Sequence, residues 1–364
     1  MRILVDLTSL SYHITGIERY ALCVTEEILK KDKVNQYTLL FRNEIYPLFS
    51  KYIDDERITA KIIYGEHKLL FFQIIMPFVL YRIKADRYMF FAFPNPILFY
   101  NKNIYNTIHD MGRWDCPETK GLHLFYFKTT ETIALRRAKK IFTVSEFSKG
   151  RICSLTGRKP EDVIVTYNGI SDTLTSANGD FAEVREKYSL PDRYIMFLST
   201  LQPRKNLKLL LEAFSEVLNE VDYDLVLIGR VGWKVDDLLE KYRLKNRIVF
   251  TGFVEDADVA LVYKNALCFV FPTLYEGFGI PPVEALSMGC PVISSDSSCM
   301  KEVLRNQAVY FKNNDKDELK RLLHNLPELE KIMPRELDQF QIENYSYCVS
   351  AKKVLSVLTG SVHK

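Results

Sequence analysis

Short apolar runs alternate with segments of helical period along almost the whole chain. This is the pattern of parallel strands joined by helices. A strand buried on both faces reads as a continuous apolar run, whereas the helix that covers it is apolar on one side only. In the first half the runs expected as strands are Ile3–Asp6, Tyr37–Phe41, Lys61–Tyr64, Tyr88–Ala92, Tyr105–His109, Ile141–Val144 and Val163–Tyr167. Between the first two, Glu18–Lys31 sets Ala21, Val24 and Ile28 on one face, the spacing of an amphipathic helix.

From Asn168 to Asp192 the apolar period lapses into Asn-Gly, Ser and Asp, with one short helix expected at Phe181–Tyr188. A second series then runs through Tyr194–Ser199, Asp224–Ile228, Arg247–Thr251, Leu267–Phe271, Pro291–Ser294 and Val309–Phe311. The expected organisation is an α/β domain over 1–170, a linker over 171–192 and a second α/β domain over 193–335. A tail over 336–364, with one long helix at Glu336–Leu358, is expected to pack back across the linker. Two doubly wound sheets joined in this way leave a cleft. Open parallel sheets hold ligands beyond the carboxyl ends of their strands, so the strand-to-helix loops are where chemistry is sought.

The composition suits a soluble globular protein, with 47% hydrophobic and 26% charged residues in 364. The net charge of +3 is too mild to suggest nucleic acid as a partner. It is unevenly shared: residues 1–170 hold 25 Lys and Arg against 18 Asp and Glu, a net +7. Seven scattered cysteines with no Cys-x-x-Cys pair argue against a disulfide framework or a structural zinc, and for a reducing compartment. The first strand begins at once, with no secretory signal before it, so a cytoplasmic location is expected. Leu69–Leu80 is membrane-like but interrupted by Gln73 and Pro77, and is shorter than the ~20 apolar residues that span a bilayer. A buried or interfacial helix is expected there.

The densest segment runs from Phe271 to Leu286. A buried strand leads into a loop bearing Gly277, Phe278, Gly279 and Ile280, then a helix opened by Pro281-Pro282. Glycine backbone freedom and the partial positive charge of a helix start make such a loop an anion cradle. Glu276 and Glu284 bracket it. Upstream, Arg204 and Lys205 follow the strand Tyr194–Ser199, where two cations suit the dispersed charge of a diphosphate. Asp256-Ala-Asp258 has the spacing of a metal-binding pair, but it sits where a helix should start and is read as capping and helix-dipole effects. No Gly-x-Gly-x-x-Gly follows a strand, which removes the main support for a nicotinamide or flavin enzyme.

Glu276 and Glu284, with seven residues between them that include Gly277-Phe278-Gly279, and the continuation Ala285-Leu-Ser-Met-Gly289-Cys-Pro291-Val292, resemble the signature of retaining GT-B glycosyltransferases of family 4. Pro203-Arg204-Lys205-Asn206 resembles the same family's diphosphate-contacting stretch. The resemblance implies two Rossmann-like domains, contact of Glu276 with the donor sugar, and contact of Glu284 with the ribose. It also implies diphosphate contacts for Lys205 and Arg204, and a nucleotide-side turn at Gly229-Arg230-Val-Gly232-Trp233. In the first domain it implies a loop at Thr15-Gly16 near the diphosphate and a sugar-facing His109 in the step His109-Asp110. Thr143-Val-Ser145 resembles the family's helix-starting serine segment, and an N-cap explains Ser145 equally well.

On this resemblance, Glu276, His109 and Lys205 are the expected catalytic residues. Gly16, Arg204, Gly229, Arg230, Gly277, Phe278, Gly279, Ile280 and Glu284 join Lys205 in binding the donor. No metal and no cofactor are implied. The implied donor is a nucleoside diphosphate hexose, with GDP-mannose preferred over a UDP-sugar because the Gly229–Trp233 and His109 segments resemble mannosyl-transferring members. The expected acceptor is a glycan or lipid-diphosphate-linked oligosaccharide of surface polysaccharide synthesis. The aromatic and basic first domain suits peripheral contact with the inner face of the cytoplasmic membrane. The alternatives are a nucleotide-sugar 2-epimerase of the same architecture and a non-catalytic nucleotide-sugar-binding protein.

Overall fold

The computed structural model describes residues 1–10, 15–66, 70–118, 120–171, 174, 176, 178–230, 240–242 and 246–360. The chain forms two compact units, Met1–Gly169 with Glu343–Lys364, and Ile170–Ile342.

The first unit is built on β1 (Arg2–Asp6), β2 (Gln36–Arg42), β3 (Ile58–Ile63), β4 (Arg87–Phe90), β5 (Ile104–Ile108), β6 (Lys140–Thr143) and β7 (Val163–Val165). They form one parallel sheet in the order β3-β2-β1-β4-β5-β6-β7. Ile3, Leu4 and Val5 are buried, as expected of a central strand covered on both faces. The helix Gly16–Lys31 opens with a capping box between Thr15 and Glu18 and buries Tyr20, Ala21, Val24 and Ile28.

The second unit carries β8 (Tyr194–Leu198), β9 (Asp224–Ile228), β10 (Ile248–Gly252), β11 (Cys268–Phe271), β12 (Val292–Ser295) and β13 (Ala308–Phe311). Its sheet is also parallel, in the order β10-β9-β8-β11-β12-β13. The helix Leu207–Val217 lays Leu207, Leu210, Leu211 and Phe214 into the main core of this unit. Each apolar run read as a strand corresponds to one. The largest displacement is at β3, which begins at Ile58 because Ile58, Thr59 and Ala60 continue the ladder with Tyr37, Thr38 and Leu39. Thr59 and Ala60 dilute the apolar signal there.

The winding direction reverses between β1 and β4 in one sheet and between β8 and β11 in the other. Loops leaving adjacent strands at such a switch point diverge to opposite faces, which opens a ligand crevice.

Two expectations need correction. The helix expected over Glu336–Leu358 is two helices, Gln339–Asn344 and Tyr347–Thr359. Ser346 lies between them in extended backbone (φ −138°, ψ 130°) and starts the second. That second helix packs on Gly16–Lys31, with Ser350 Oγ donating to the Tyr167 carbonyl at 2.6 Å. Asp256 and Asp258 lie in the first turn of their helix, as the dipole reading expects, but do not cap it, since Glu255 holds the cap position. Asp258 Oδ2 instead accepts from Lys187 Nζ at 2.8 Å and Tyr188 OH at 2.9 Å. These bonds tie the helix Phe181–Tyr188, within the segment read as a linker, to the second unit.

Among the described residues, no helix is long and apolar enough to cross a membrane. The membrane-like stretch is a π-helical turn, Phe71–Ile75, running into the α-helix Met76–Arg82.

Candidate active site

The second sheet's switch point brings together the two chemically richest loops. After β8, Pro203–Lys205 forms a single 3-10 turn ended by Asn206 in the left-handed region (φ 55°). The turn sends Lys205 Nζ to within 2.6 Å of Glu276 Oε1, in the loop after β11. Thr273 Oγ1 donates to the same oxygen at 2.8 Å. The backbone N–H of Glu276 donates to Ser298 Oγ at 2.9 Å, which fixes its peptide from the loop after β12. The two charged side chains are only 13% and 9% exposed. A pair so shielded interacts more strongly than an exposed ion pair, whose worth is about 0–1 kcal/mol.

Arg204 has a different task. Its guanidinium donates to the Tyr275 carbonyl at 3.2 Å, and its own carbonyl accepts from the Leu274 N–H at 2.9 Å. It therefore holds the two loops together, while Lys205 carries its charge to Glu276.

Gly279 is the N-cap of the helix Ile280–Ser287 and takes φ 82°, a conformation glycine adopts without strain. Pro281 and Pro282 carry no backbone N–H, so the N–H groups at this helix start are those of Gly279 and Ile280. Tyr263 OH donates to the Pro281 carbonyl at 3.2 Å, which braces the first turn from below. Gly277 lies in the turn before it, Phe278 is buried there, and Glu284 is buried further along the helix.

After β9, Gly229 receives the Gly252 carbonyl on its N–H at 2.8 Å, and the Arg230 carbonyl accepts from the Leu201 N–H at 2.9 Å. The Arg230 guanidinium lies 4.8 Å from the centroid of the Phe253 ring, a cation–π contact. Gly232 and Trp233 lie outside the described residues.

In the first unit, Gly16 is the exposed first residue of its helix, behind the Thr15 cap. His109 follows β5, and its Nε2 lies 2.9 Å from the Phe91 carbonyl, just beyond β4. Its ring meets Tyr20 edge-on at 5.1 Å between centroids. Burial holds the imidazole pKa below its ordinary value, which favours the neutral ring with Nε2–H donating to Phe91. Asp110 Oδ1 accepts from the Gly112 N–H at 2.7 Å, and Ser145 caps the helix Glu146–Thr156 by accepting from the Ser148 N–H at 3.1 Å.

Four polar groups escaped the sequence reading. Thr273 and Ser298 position Glu276. Thr273 stood within the segment singled out, whereas Ser298 comes from a distant loop and left no local signal. Asp6, at the end of β1, is buried, and burial lifts its carboxyl to about 6. Glu131 is buried beside Arg113 at 3.1 Å, and burial lifts it to about 7. Among the described residues no three His, Cys, Asp or Glu side chains gather as a metal site.

Residues 180–343 match the family described as Glycosyl transferases group 1. The chain is 28% identical over 342 residues to O-antigen chain mannosyltransferase B of Escherichia coli, covering 87% of this chain and 88% of that one. It is 26% identical over 232 residues to O-antigen chain mannosyltransferase RfbU of Salmonella typhimurium, covering 63% and 62%. A serotype-specific mannosyltransferase WbdA of Escherichia coli is 28% identical over 236 residues, of whose length this chain spans only 28%. Among solved structures, Anabaena HepE in complex with UDP and glucose superposes with a TM-score of 0.74 at 16% identity, covering 99% of this chain and 100% of that one. WaaG, a glycosyltransferase involved in lipopolysaccharide biosynthesis, gives 0.74 at 13% identity, covering 99% and 100%. The two parallel α/β sheets are of GT-B type, and the Lys205–Glu276 pair lies inside the residues 180–343 that are similar to the glycosyl transferases of group 1.

Proposed function

We propose that this protein transfers mannose from GDP-mannose to a glycan or lipid-diphosphate-linked oligosaccharide, with retention at the anomeric carbon and without a metal ion. The observation that carries the reading is the shielded Lys205–Glu276 pair at the β8/β11 switch point, at the head of the loop that leads to Glu284. The mannose preference is supported by the O-antigen mannosyltransferases to which the chain is similar.

In the reaction the bond from the anomeric carbon to the diphosphate oxygen breaks, and a bond to the acceptor hydroxyl oxygen forms on the same face. The acceptor proton passes to the departing phosphate. Lys205 and the N–H groups of Gly279 and Ile280 oppose the charge growing on that phosphate. Glu276, with Oε1 held by Lys205 and Thr273, directs Oε2 to the sugar hydroxyls and offsets oxocarbenium charge. Glu284 holds the ribose. A neutral His109 exchanges hydrogen bonds with the sugar without adding positive charge beside the reacting carbon.

The test is a melting panel with GDP, UDP, ADP and dTDP, free and sugar-linked. A ligand at about 100 times its dissociation constant adds roughly 2.7 kcal/mol, well within detection. Stabilisation by GDP and GDP-mannose, lost in Glu284→Ala, is expected. A UDP-only response discards mannose, and no response to any nucleotide discards the donor reading. Proton NMR of the product linkage then distinguishes retention from inversion.

A further inference from the structure

The loop that follows β12 runs from Asp296 to Cys299 and grips the loop after β11 at Thr273 and at Glu276. The hydroxyls of Ser295 and Ser297 both donate to the Thr273 carbonyl, at 2.6 and 2.8 Å. Glu276 has its main chain taken on both sides: its N–H donates to Ser298 Oγ at 2.9 Å, and its carbonyl accepts from Cys299 Sγ at 3.3 Å. Thr273 Oγ1 in turn donates to Glu276 Oε1 at 2.8 Å. The same loop therefore sets the backbone of Glu276 directly and one of its carboxylate oxygens through Thr273. Ser295, Ser297 and Cys299 are buried, and burial pushes the Cys299 thiol up, so it keeps its proton and remains a donor.

The loop is itself anchored on the side away from Glu276. The Asp296 N–H donates to the Phe311 carbonyl at 2.9 Å, Asp296 Oδ1 accepts from the Asn313 N–H at 2.8 Å, and Oδ2 accepts from Lys301 Nζ at 3.1 Å. Between these anchors and Glu276, Ser298 takes φ 47°, a left-handed backbone that glycine adopts freely and serine only at a cost. Such conformations persist where the surroundings over-determine them, and they gather at functional sites. Glycine would satisfy this backbone but supply no acceptor for the Glu276 N–H. The helix Met300–Leu304 that follows reaches the other end of the Glu276 loop, since a carbon built on Gly279 would stand 2.6 Å from the Met300 methyl group.

We propose that Ser298 is a positioning residue for the transfer: by fixing the Glu276 peptide it sets the direction in which Oε2 meets the donor sugar. This role rests on the reading of Glu276 as the group that orients the sugar of GDP-mannose. Lys205 and Thr273 hold Oε1 alone, so they leave the carboxylate free to swing with its backbone if the peptide tilts. A misplacement of about 1 Å at a reacting group can cost on the order of a hundredfold in rate.

Ser298→Gly tests this, because it relieves the left-handed backbone while deleting the acceptor. Its melting temperature should equal or exceed the parent's. In the resting protein the Glu276 amide should exchange with solvent about tenfold faster or more, a readout that needs no donor. With GDP-mannose as the probe and released GDP as the signal, kcat should fall about tenfold to a hundredfold while KM stays within about twofold. Introduced into Glu276→Ala, with enzyme in excess over donor, the same substitution should change the rate by less than about twofold, since Glu276 is no longer there to be aimed. A melting temperature that falls together with kcat would make Ser298 a structural residue and overturn the proposal. A rise in KM alone, or the full further loss on Glu276→Ala, would place its hydroxyl on the donor and overturn it as well. Faster amide exchange with kcat unchanged would overturn the positioning role and leave the donor reading standing. A wild-type chain that releases no GDP from GDP-mannose overturns both.

Discussion

Gly229 aims the position of its missing Cβ at the backbone of Ser199: a carbon built there would stand 1.9 Å from the Ser199 carbonyl oxygen, on a backbone with φ 139°. The end of β9 and the end of β8 are thus packed main chain to main chain, and this contact alone requires glycine, whatever binds nearby. Gly229→Ala is expected to cost about 3 kcal/mol or more by combining backbone strain with overpacking. A urea midpoint that falls correspondingly checks this. A change below about 1 kcal/mol would mean that the two strand ends can separate freely.

Lys205 and Glu276 should behave as a coupled pair. Removing the lysine leaves a shielded carboxylate with only Thr273 on its paired oxygen, so Lys205→Ala should destabilise by about 2 kcal/mol, and Glu276→Gln added to it should recover part of that loss. A double-mutant cycle read by urea unfolding is expected to give a coupling of about 1 kcal/mol or more. In a transfer assay Lys205→Ala should lower kcat by about a hundredfold to a thousandfold, the usual cost of losing a preorganised electrostatic contact to the leaving group. An unchanged kcat would remove the lysine from the reaction.

Asp6 makes stability depend on pH with a definite sign. Its folded-state value of about 6 exceeds the ordinary 3.8 because ionising the buried carboxyl is costly. The protonated form therefore adds stability that is fully present below pH ~4 and lost as pH rises through about 6. Asp6→Asn keeps an acceptor for the Thr8 N–H and hydroxyl while removing the ionisation. It should raise stability by about 2–3 kcal/mol at pH 8 and by almost nothing at pH ~4, measured by urea unfolding at both.

His109 runs the other way. A lowered imidazole pKa means that the unfolded chain takes up a proton before the folded one does. The contribution is fully present above the unfolded value of ~6.5 and is lost as pH falls toward the lowered folded one. His109→Ala should flatten the decline in stability below pH ~6.5, with a pH-independent loss of about 1 kcal/mol from the ring contact with Tyr20. Nitrogen chemical shifts of the imidazole at neutral pH should show the neutral form protonated at Nε2.

The sheets were legible because a strand covered on both faces, such as Ile3–Val5 or Phe269–Phe271, leaves an uninterrupted apolar run in the chain. The loops at Lys205 and Glu276 could each be singled out by local chemistry: cations before a helix, and glycines between acids. Their meeting could not. They are 71 residues apart, and periodicity carries no record of which strands lie side by side. Burial was equally silent for Asp6 and Glu131, which read as ordinary acids in the chain. The division of labour between Arg204 and Lys205 depends on a turn of three residues, shorter than any period. The interruption at Ser346 was hidden because no glycine or proline marks it between Glu336 and Leu358, although the backbone there is extended.

The bond from the Leu274 N–H to the Arg204 carbonyl makes main chain pair with main chain between two loops that leave different strands. For the Leu274 amide to meet solvent, the two loops must part, and the Arg204 contact to Tyr275 must give way with them. Its hydrogen exchange rate is therefore a clock for the opening of both loops together, readable in the resting protein before any sugar or nucleotide is supplied.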